Sequence, residues 1–131
     1  MNTKTRLFIA IPNNGSCEEY WSSGIQPLAT ELQLELVRIR KMASGFKVMS
    51  LIQNELEACD AVIAFLFEPN PNIYFEVGYA MANRKPCLIV TGDTWTPKLF
   101  EQNAKIIRIA IANKSIRKIF RIAILELMDL L

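Results

Sequence analysis

The stretch Ala61-Val62-Ile63-Ala64-Phe65-Leu66-Phe67 is apolar at every position. It is too short to cross a membrane as a helix, and it matches a strand covered on both faces. Strands of that kind belong to parallel sheets, where crossover helices supply the two covers. Shorter runs at Leu7 to Ile11, Leu34 to Ile39, Cys87 to Val90 and Ile106 to Ile111 read as further strands. Between them lie helical stretches. Glu18 to Gln33, restarted near Pro27, places Tyr20, Trp21, Ile25, Leu28, Ala29 and Leu32 at roughly helical spacing. Val48, Leu51, Ile52, Leu56 and Ala58 mark a second helix. A third is expected from Asn72, read as its cap, through Asn83, with Arg84-Lys85-Pro86 ending it. Lys98 to Asn103 reads as a short helix and Asn113 to Leu131 as a closing one.

Strands alternating with helices imply βαβ crossovers. The expectation is an α/β, flavodoxin-like three-layer sandwich: a five-stranded parallel sheet in the order 2-1-3-4-5, forming a single domain over residues 1–131. Ligands of such sheets bind outside the carboxyl ends of the strands, near the switch point between strands 1 and 3. That rule selects the turn Pro12-Asn13-Asn14-Gly15-Ser16 and the loop Glu68-Pro69-Asn70-Pro71-Asn72, where two prolines interrupt regular structure.

Several chemistries are excluded. The chain has neither the GxxxxGK[ST] loop nor GxGxxG. A phosphoacceptor receiver would need acidic residues after strand 1 and an Asp ending strand 3, where Pro12-Asn13-Asn14 and Leu66-Phe67-Glu68 stand. There is no histidine, so imidazole takes no part in acid–base work or metal binding, and no metal site is expected. Cys17, Cys59 and Cys87 fit neither a disulfide framework nor a zinc pattern; Cys59 and Cys87, beside apolar runs, read as buried thiols. A formal charge of +2 gives no footprint for nucleic acid. The polar start Met1-Asn2-Thr3-Lys4-Thr5-Arg6 lacks a signal-peptide pattern, and no apolar run reaches membrane-spanning length, so the expectation is a cytoplasmic protein with no membrane partner.

The central candidate is Glu76, placed early in the third helix at the edge of a stripe formed by Ile73, Val77 and Ala80. A half-shielded carboxylate near a helix N-terminus is favoured in its ionised form, which suits a nucleophile or a stabiliser of positive charge. On position alone, an ordinary carboxylate placed there by the dipole stands ahead of catalysis. Asn13, Asn14, Gly15 and Ser16 would hold phosphate or ribose through backbone N–H groups, or form an ordinary turn. Arg38 and Arg40 would meet phosphate or end a solvated strand. Tyr74 would line the pocket or pack. Tyr20 and Trp21 read as core packing ahead of base stacking. Gly78 costs about 1 kcal/mol inside a helix relative to Ala, so a backbone or ligand is expected to approach it closely.

Three segments in order carry a resemblance: Ala58-Cys59-Asp60-Ala61-Val62-Ile63-Ala64, Asn70-Pro71-Asn72-Ile73-Tyr74-Phe75-Glu76-Val77-Gly78-Tyr79-Ala80-Met81-Ala82, and Lys85-Pro86-Cys87-Leu88-Ile89. Together they resemble the nucleoside 2-deoxyribosyltransferase-like superfamily, which is structurally akin to TIR domains. The resemblance spans most of the chain and is specific in the central block. It implies that Glu76 attacks or stabilises the anomeric carbon of a nucleoside or nucleotide as the C1′–N bond breaks, in the manner of retaining glycosidases. With it, the residues assigned to substrate binding, chosen by their place around the strand ends and the central block, are Pro12, Asn13, Asn14, Gly15, Ser16, Arg38, Glu68, Asn70, Asn72, Tyr74 and Gly78. Many such enzymes carry an Asp late in the third strand and another about six residues before the Glu; here Ala64-Phe65-Leu66-Phe67 and Asn70 stand in those places. With no obvious acid, a positively charged leaving group is favoured, as in NAD⁺, a substrate rather than a cofactor.

Two functions follow: cleavage or transfer at an N-glycosidic bond of a nucleoside, nucleotide or NAD-like substrate, or a non-catalytic TIR-like module for nucleotide binding, assembly or signalling. The enzyme has the edge because Glu76 sits intact in its motif. The closing helix is apolar around much of its circumference, which predicts a homo-oligomer formed through 113–131.

Overall fold

The computed structural model describes residues 4–39, 46–92, 95, 97–100, 106–110 and 115–131. Strands β1 (Thr5–Ala10), β2 (Leu34–Val37), β3 (Ala61–Phe65) and β4 (Cys87–Thr91) lie parallel in the order 2-1-3-4, the order expected for those four. Leu7 sits opposite Ala61 across β1 and β3, and Val62 opposite Cys87 across β3 and β4. Ile106–Ala110 (β5) pairs parallel with β4. The helices are α1 (Gly15–Glu19), α2 (Leu28–Glu31), α3 (Phe46–Ala58), α4 (Pro71–Ala82) and α5 (Ile116–Met128).

The uninterrupted apolar run has the expected cause. Alternate residues of β3 enter two different cores. Ala61, Ile63 and Phe65 pack with Leu7, Ile9, Leu88 and Val90 against Trp21, Ile25, Leu28, Phe120 and Ile124 on one face. Val62, Ala64 and Leu66 pack with Phe8, Ala10 and Ile89 against Ile52, Leu56, Ile73 and Val77 on the other. All five β3 residues are fully buried. No residue of that strand has a solvent face on which a polar side chain would be tolerated.

Element boundaries differ from expectation where local chemistry intervenes. The stretch 18–33 restarts after Pro27 as expected, but the part before it is not a continuous α-helix. The stretch comprises α1, a π-helical segment at Tyr20–Ile25 and the short α2, joined through Gln26 and Pro27. Proline lacks an N–H for the ladder. Gly24 lies in the π-helical segment because α5 crosses there. A Cβ on Gly24 would meet Phe120 Cδ2 at 2.6 Å and Ile116 Cγ2 at 2.8 Å. The cap of α4 is Asn70, not Asn72: the Asn70 side chain accepts from the backbone N–H of Asn72 and of Ile73, and Pro71 takes the first helical position, where its missing N–H costs nothing. The loop 43–45, Arg40, Lys41, Asp93, residues 101–103, Ile111, and Asn113 and Lys114 of the expected closing helix lie outside the described residues.

Candidate active site

A cavity of about 280 Å³ opens at the carboxyl ends of β1 and β2, on the α4 side of the sheet. Its floor is apolar, formed by Phe8, Ile9, Ile11, Ile39 and Ile73; its polar wall is Asn13, Asn70, Asn72 and Glu76, with Pro12 at the turn. It therefore lies beside the switch point between β1 and β3, where open α/β sheets receive ligands. The loops following two separate strands are brought together here as expected.

Glu76 is more enclosed than its sequence position implies. Only 5% of it is exposed, and it shares the buried stripe of α4 with Ile73, Val77 and Ala80. Pro71 begins the helix, so Glu76 stands in the second turn and the first turn holds no acidic residue. The helix dipole, which fades beyond the first turn, accounts for less than expected; burial and the polar wall of asparagines define the environment instead. Among the described residues lining this cavity, Glu76 is the one ionisable side chain.

The other candidates distribute around it. Asn13, Pro12, Asn70 and Asn72 line the same cavity as Glu76. Glu68 is exposed and borders a smaller hollow of about 90 Å³ with Pro12, Asn14, Phe65, Phe67 and Asn70. Asn14, Gly15 and Ser16 border a third, open depression with Tyr20, Phe67 and Gly92. Asn14 is also committed to capping, since its Oδ1 accepts from the N–H of Cys17 at 2.9 Å. Tyr74 turns to Phe100, with ring centroids 6.0 Å apart, and is not among the described residues lining the Glu76 cavity. Gly78 is exposed, and among the described residues nothing lies within 4 Å of where its Cβ would be, so none of them makes the close approach expected of a backbone there.

Arg38 occupies a different place from a phosphate-facing guanidinium. Its side chain is 6% exposed. Nη1 donates to Glu18 Oε2 at 3.0 Å, Nη2 donates to Glu18 Oε1 and, at 3.3 Å, to Asn13 Oδ1. The guanidinium carbon stands 5.5 Å from the centre of the Trp21 ring. Sequence reasoning did not single out Glu18, and it weighed Trp21 for core packing ahead of base stacking, not for a contact with Arg38. These residues are 20 positions or fewer from Arg38 and share no local pattern with it, so no sequence signal marks the clamp.

The thiols offer no competing nucleophile. All three cysteines are free and buried. Burial pushes the Cys17 thiol up from its ordinary range, Cys59 to about 11 and Cys87 to about 12, so each stays protonated near neutral pH. Among the described residues no group of three metal-capable side chains is present, and no helix is long and apolar enough to cross a membrane.

The fold and the cavity together define an α/β protein with a cavity beside a parallel-sheet switch point. Solved structures share this fold. The Clostridium botulinum CMP N-glycosidase aligns with a TM-score of 0.67 at 17% identity, over 88% of this chain and 98% of that one. A 2-deoxyribosyltransferase from Bacillus psychrosaccharolyticus aligns with a TM-score of 0.62 at 10% identity, over 88% and 90%. The family model for nucleoside 2-deoxyribosyltransferase matches residues 14–110, and the chain belongs to that family. Among curated proteins no significant match is found. Family membership supports an enzyme over a binding module.

Proposed function

We propose that this protein cleaves or transfers at the N-glycosidic bond of a nucleoside, nucleotide or NAD-like substrate, with Glu76 as nucleophile or oxocarbenium stabiliser. The observation that carries the reading is a carboxylate 5% exposed in the wall of a cavity at the carboxyl ends of the strands. As the C1′–N bond breaks, its electron pair leaves with the base and positive charge develops on the sugar ring. A carboxylate facing that carbon either stabilises the charge or closes on it as a glycosyl ester, which water or an acceptor base then opens.

Glu76, the one ionisable residue among the described ones lining the cavity, restricts the leaving group. A neutral base departs as an anion unless an acid protonates it, whereas a base already carrying positive charge, such as nicotinamide in NAD⁺, departs neutral. With no second acid among the described lining residues, the reading favours a charged leaving group, or a nucleoside whose base recruits Glu68 from the neighbouring hollow. The same feature supports a second reading, a site that binds a nucleotide-like ligand without turnover, akin to a TIR-like module.

The same proposal takes residues 1–131 as one domain on a five-stranded sheet in the order 2-1-3-4-5, acting in the cytoplasm. It includes self-association through α5, which rests on exposed Ile122 and Leu125 and on Leu130 and Leu131 beyond it. Light scattering giving a monomer at all concentrations would remove the self-association.

The deciding experiment follows base release from NAD⁺, CMP and a set of nucleosides and 2′-deoxynucleosides, comparing wild type with Glu76→Gln. Release by wild type and its loss in the variant is the expected result. Binding in both without release from any substrate selects the second reading.

A further inference from the structure

We propose that Arg38 is a positioning residue that fixes the side-chain amide of Asn13, so that the cavity is offered a hydrogen-bond donor at that point. This rests on reading the Glu76 cavity as the reacting site. The geometry is specific. An arginine carries donors and no acceptor, so the Asn13 atom facing Nη2 is Oδ1, at 3.3 Å. The NH₂ edge of the same amide is thereby turned away from the guanidinium. Asn13 lines the cavity with Glu76, and the edge left for a ligand is a donor. It recognises an acceptor on the substrate, a sugar hydroxyl oxygen or a base carbonyl, rather than an N–H.

Arg38 is suited to this task because it is itself held. Glu18 takes both terminal nitrogens, a paired arrangement that fixes the plane of the guanidinium as well as its position. Trp21 lies across its face at 5.5 Å. With its side chain 6% exposed, Arg38 is not free to swing out to a phosphate. Its charge is neutralised by Glu18, and a further Nη2 donor goes to Asn13. Lysine would keep the charge but lose the planar fork. An exposed asparagine on a turn would otherwise sample both faces of its amide.

Two measurements test this. The first needs no substrate: the side-chain amide signals of Asn13 in ¹⁵N–¹H NMR. Wild type should show a distinct, restrained pair. Arg38→Lys should move it toward the averaged position of a free amide, while the Asn70 amide, held by its own cap, stays in place. The second is a double-mutant cycle on kcat/KM for whichever of NAD⁺, CMP or the nucleosides wild type turns over fastest. Asn13→Asp removes the donor and should lower kcat/KM at least tenfold with the folding transition retained. Arg38→Lys should cost a comparable factor in the wild-type background and less than twofold in Asn13→Ala.

An equal cost of Arg38→Lys in both backgrounds overturns the proposal, as does an Asn13 amide already averaged in wild type. If wild type turns over no substrate, the catalytic reading of the cavity fails and the NMR measurement alone decides whether Arg38 fixes Asn13. If Arg38→Lys does not fold, Asn13→Asp, at an exposed turn position, still decides: unchanged kcat/KM would sink the proposal.

Discussion

The two polar walls of the cavity are built by different means. The α4 wall is assembled from neighbours in sequence. Asn70 accepts from N–H groups two and three residues ahead, Pro71 starts the helix, and Glu76 follows on its buried stripe. The β1 wall is assembled from distant parts. Asn13 is held by Arg38, 25 residues away, which is held in turn by Glu18 and Trp21. The first wall survives as a local motif wherever its helix forms. The second exists only when β1, β2, α1 and the π-helical segment have docked. One wall thus brings the Glu76 carboxylate as a preformed unit, and the other brings the Asn13 amide, whose placement depends on tertiary packing.

If that division is right, the largest effect comes from the local wall and falls on chemistry alone. Glu76→Gln keeps the volume and polarity of the side chain and removes its charge. Base release is expected to fall by about 10³-fold or more, roughly 4 kcal/mol in the barrier, with the midpoint of thermal unfolding nearly unchanged. Loss of folding in this variant would make Glu76 a structural residue and dissolve the contrast between the walls.

The distant wall should respond oppositely, in stability first. Gly24 lines none of the three cavities described above, yet a methyl group there would stand 2.6 Å from Phe120 Cδ2 and 2.8 Å from both Ile116 Cγ2 and Phe120 Cε2. Phe120 is itself fully buried and stacked on Phe65 with centroids 5.8 Å apart, so it has little room to yield. Gly24→Ala is expected to cost about 1–3 kcal/mol as overpacking, read by denaturant unfolding. Activity should fall as well, because Trp21, which lies across the Arg38 guanidinium, rides on this segment. Full stability would show that the π-helical segment is not held against α5.

The same division explains what the amino-acid sequence discloses. Ala61 to Phe67 announces a buried parallel strand because burial on both faces admits only apolar residues, and the alternation into two cores bears this out. The order of the first four strands follows from βαβ handedness. The Asn70–Ala80 block was legible because its cap, its proline and its carboxylate lie within one helix. The cap itself was assigned two residues late, since Asn70 and Asn72 are the same residue type and only the hydrogen bonds separate them. The Arg38 clamp was illegible: a cation, a carboxylate and an indole from three elements carry no spacing rule. The π-helical segment was hidden for a related reason, because Gly24 owes its place to Phe120 from the far end of the chain.

A smaller effect separates capping from catalysis within the local wall. Asn70→Ala leaves the N–H groups of Asn72 and Ile73 without their acceptor and should cost about 1 kcal/mol of stability. Asn70→Asp keeps the acceptor and adds a charge favourable to the helix N-terminus, so stability should be retained. Activity that falls in both variants would assign Asn70 to the substrate; activity that tracks stability would assign it to the helix.

The smallest expected effect is also the sharpest test of where α4 ends as a site. Gly78 is exposed, with open space where a Cβ would stand. It lies near Phe75, 38% exposed, whose ring sits 5.9 Å from that of Tyr79. With no described residue to approach it, a mid-helix glycine there is unfavourable relative to alanine. Gly78→Ala is therefore expected to stabilise by up to about 1 kcal/mol, a rise of a few degrees in Tm, with kcat/KM unchanged within twofold. The opposite outcome would be instructive for a physical reason: a methyl group that harms nothing inside the chain harms only what lies against it. A fall in activity at retained Tm would mean that the outer face of α4 is covered during function, and that the local wall depends on a partner after all.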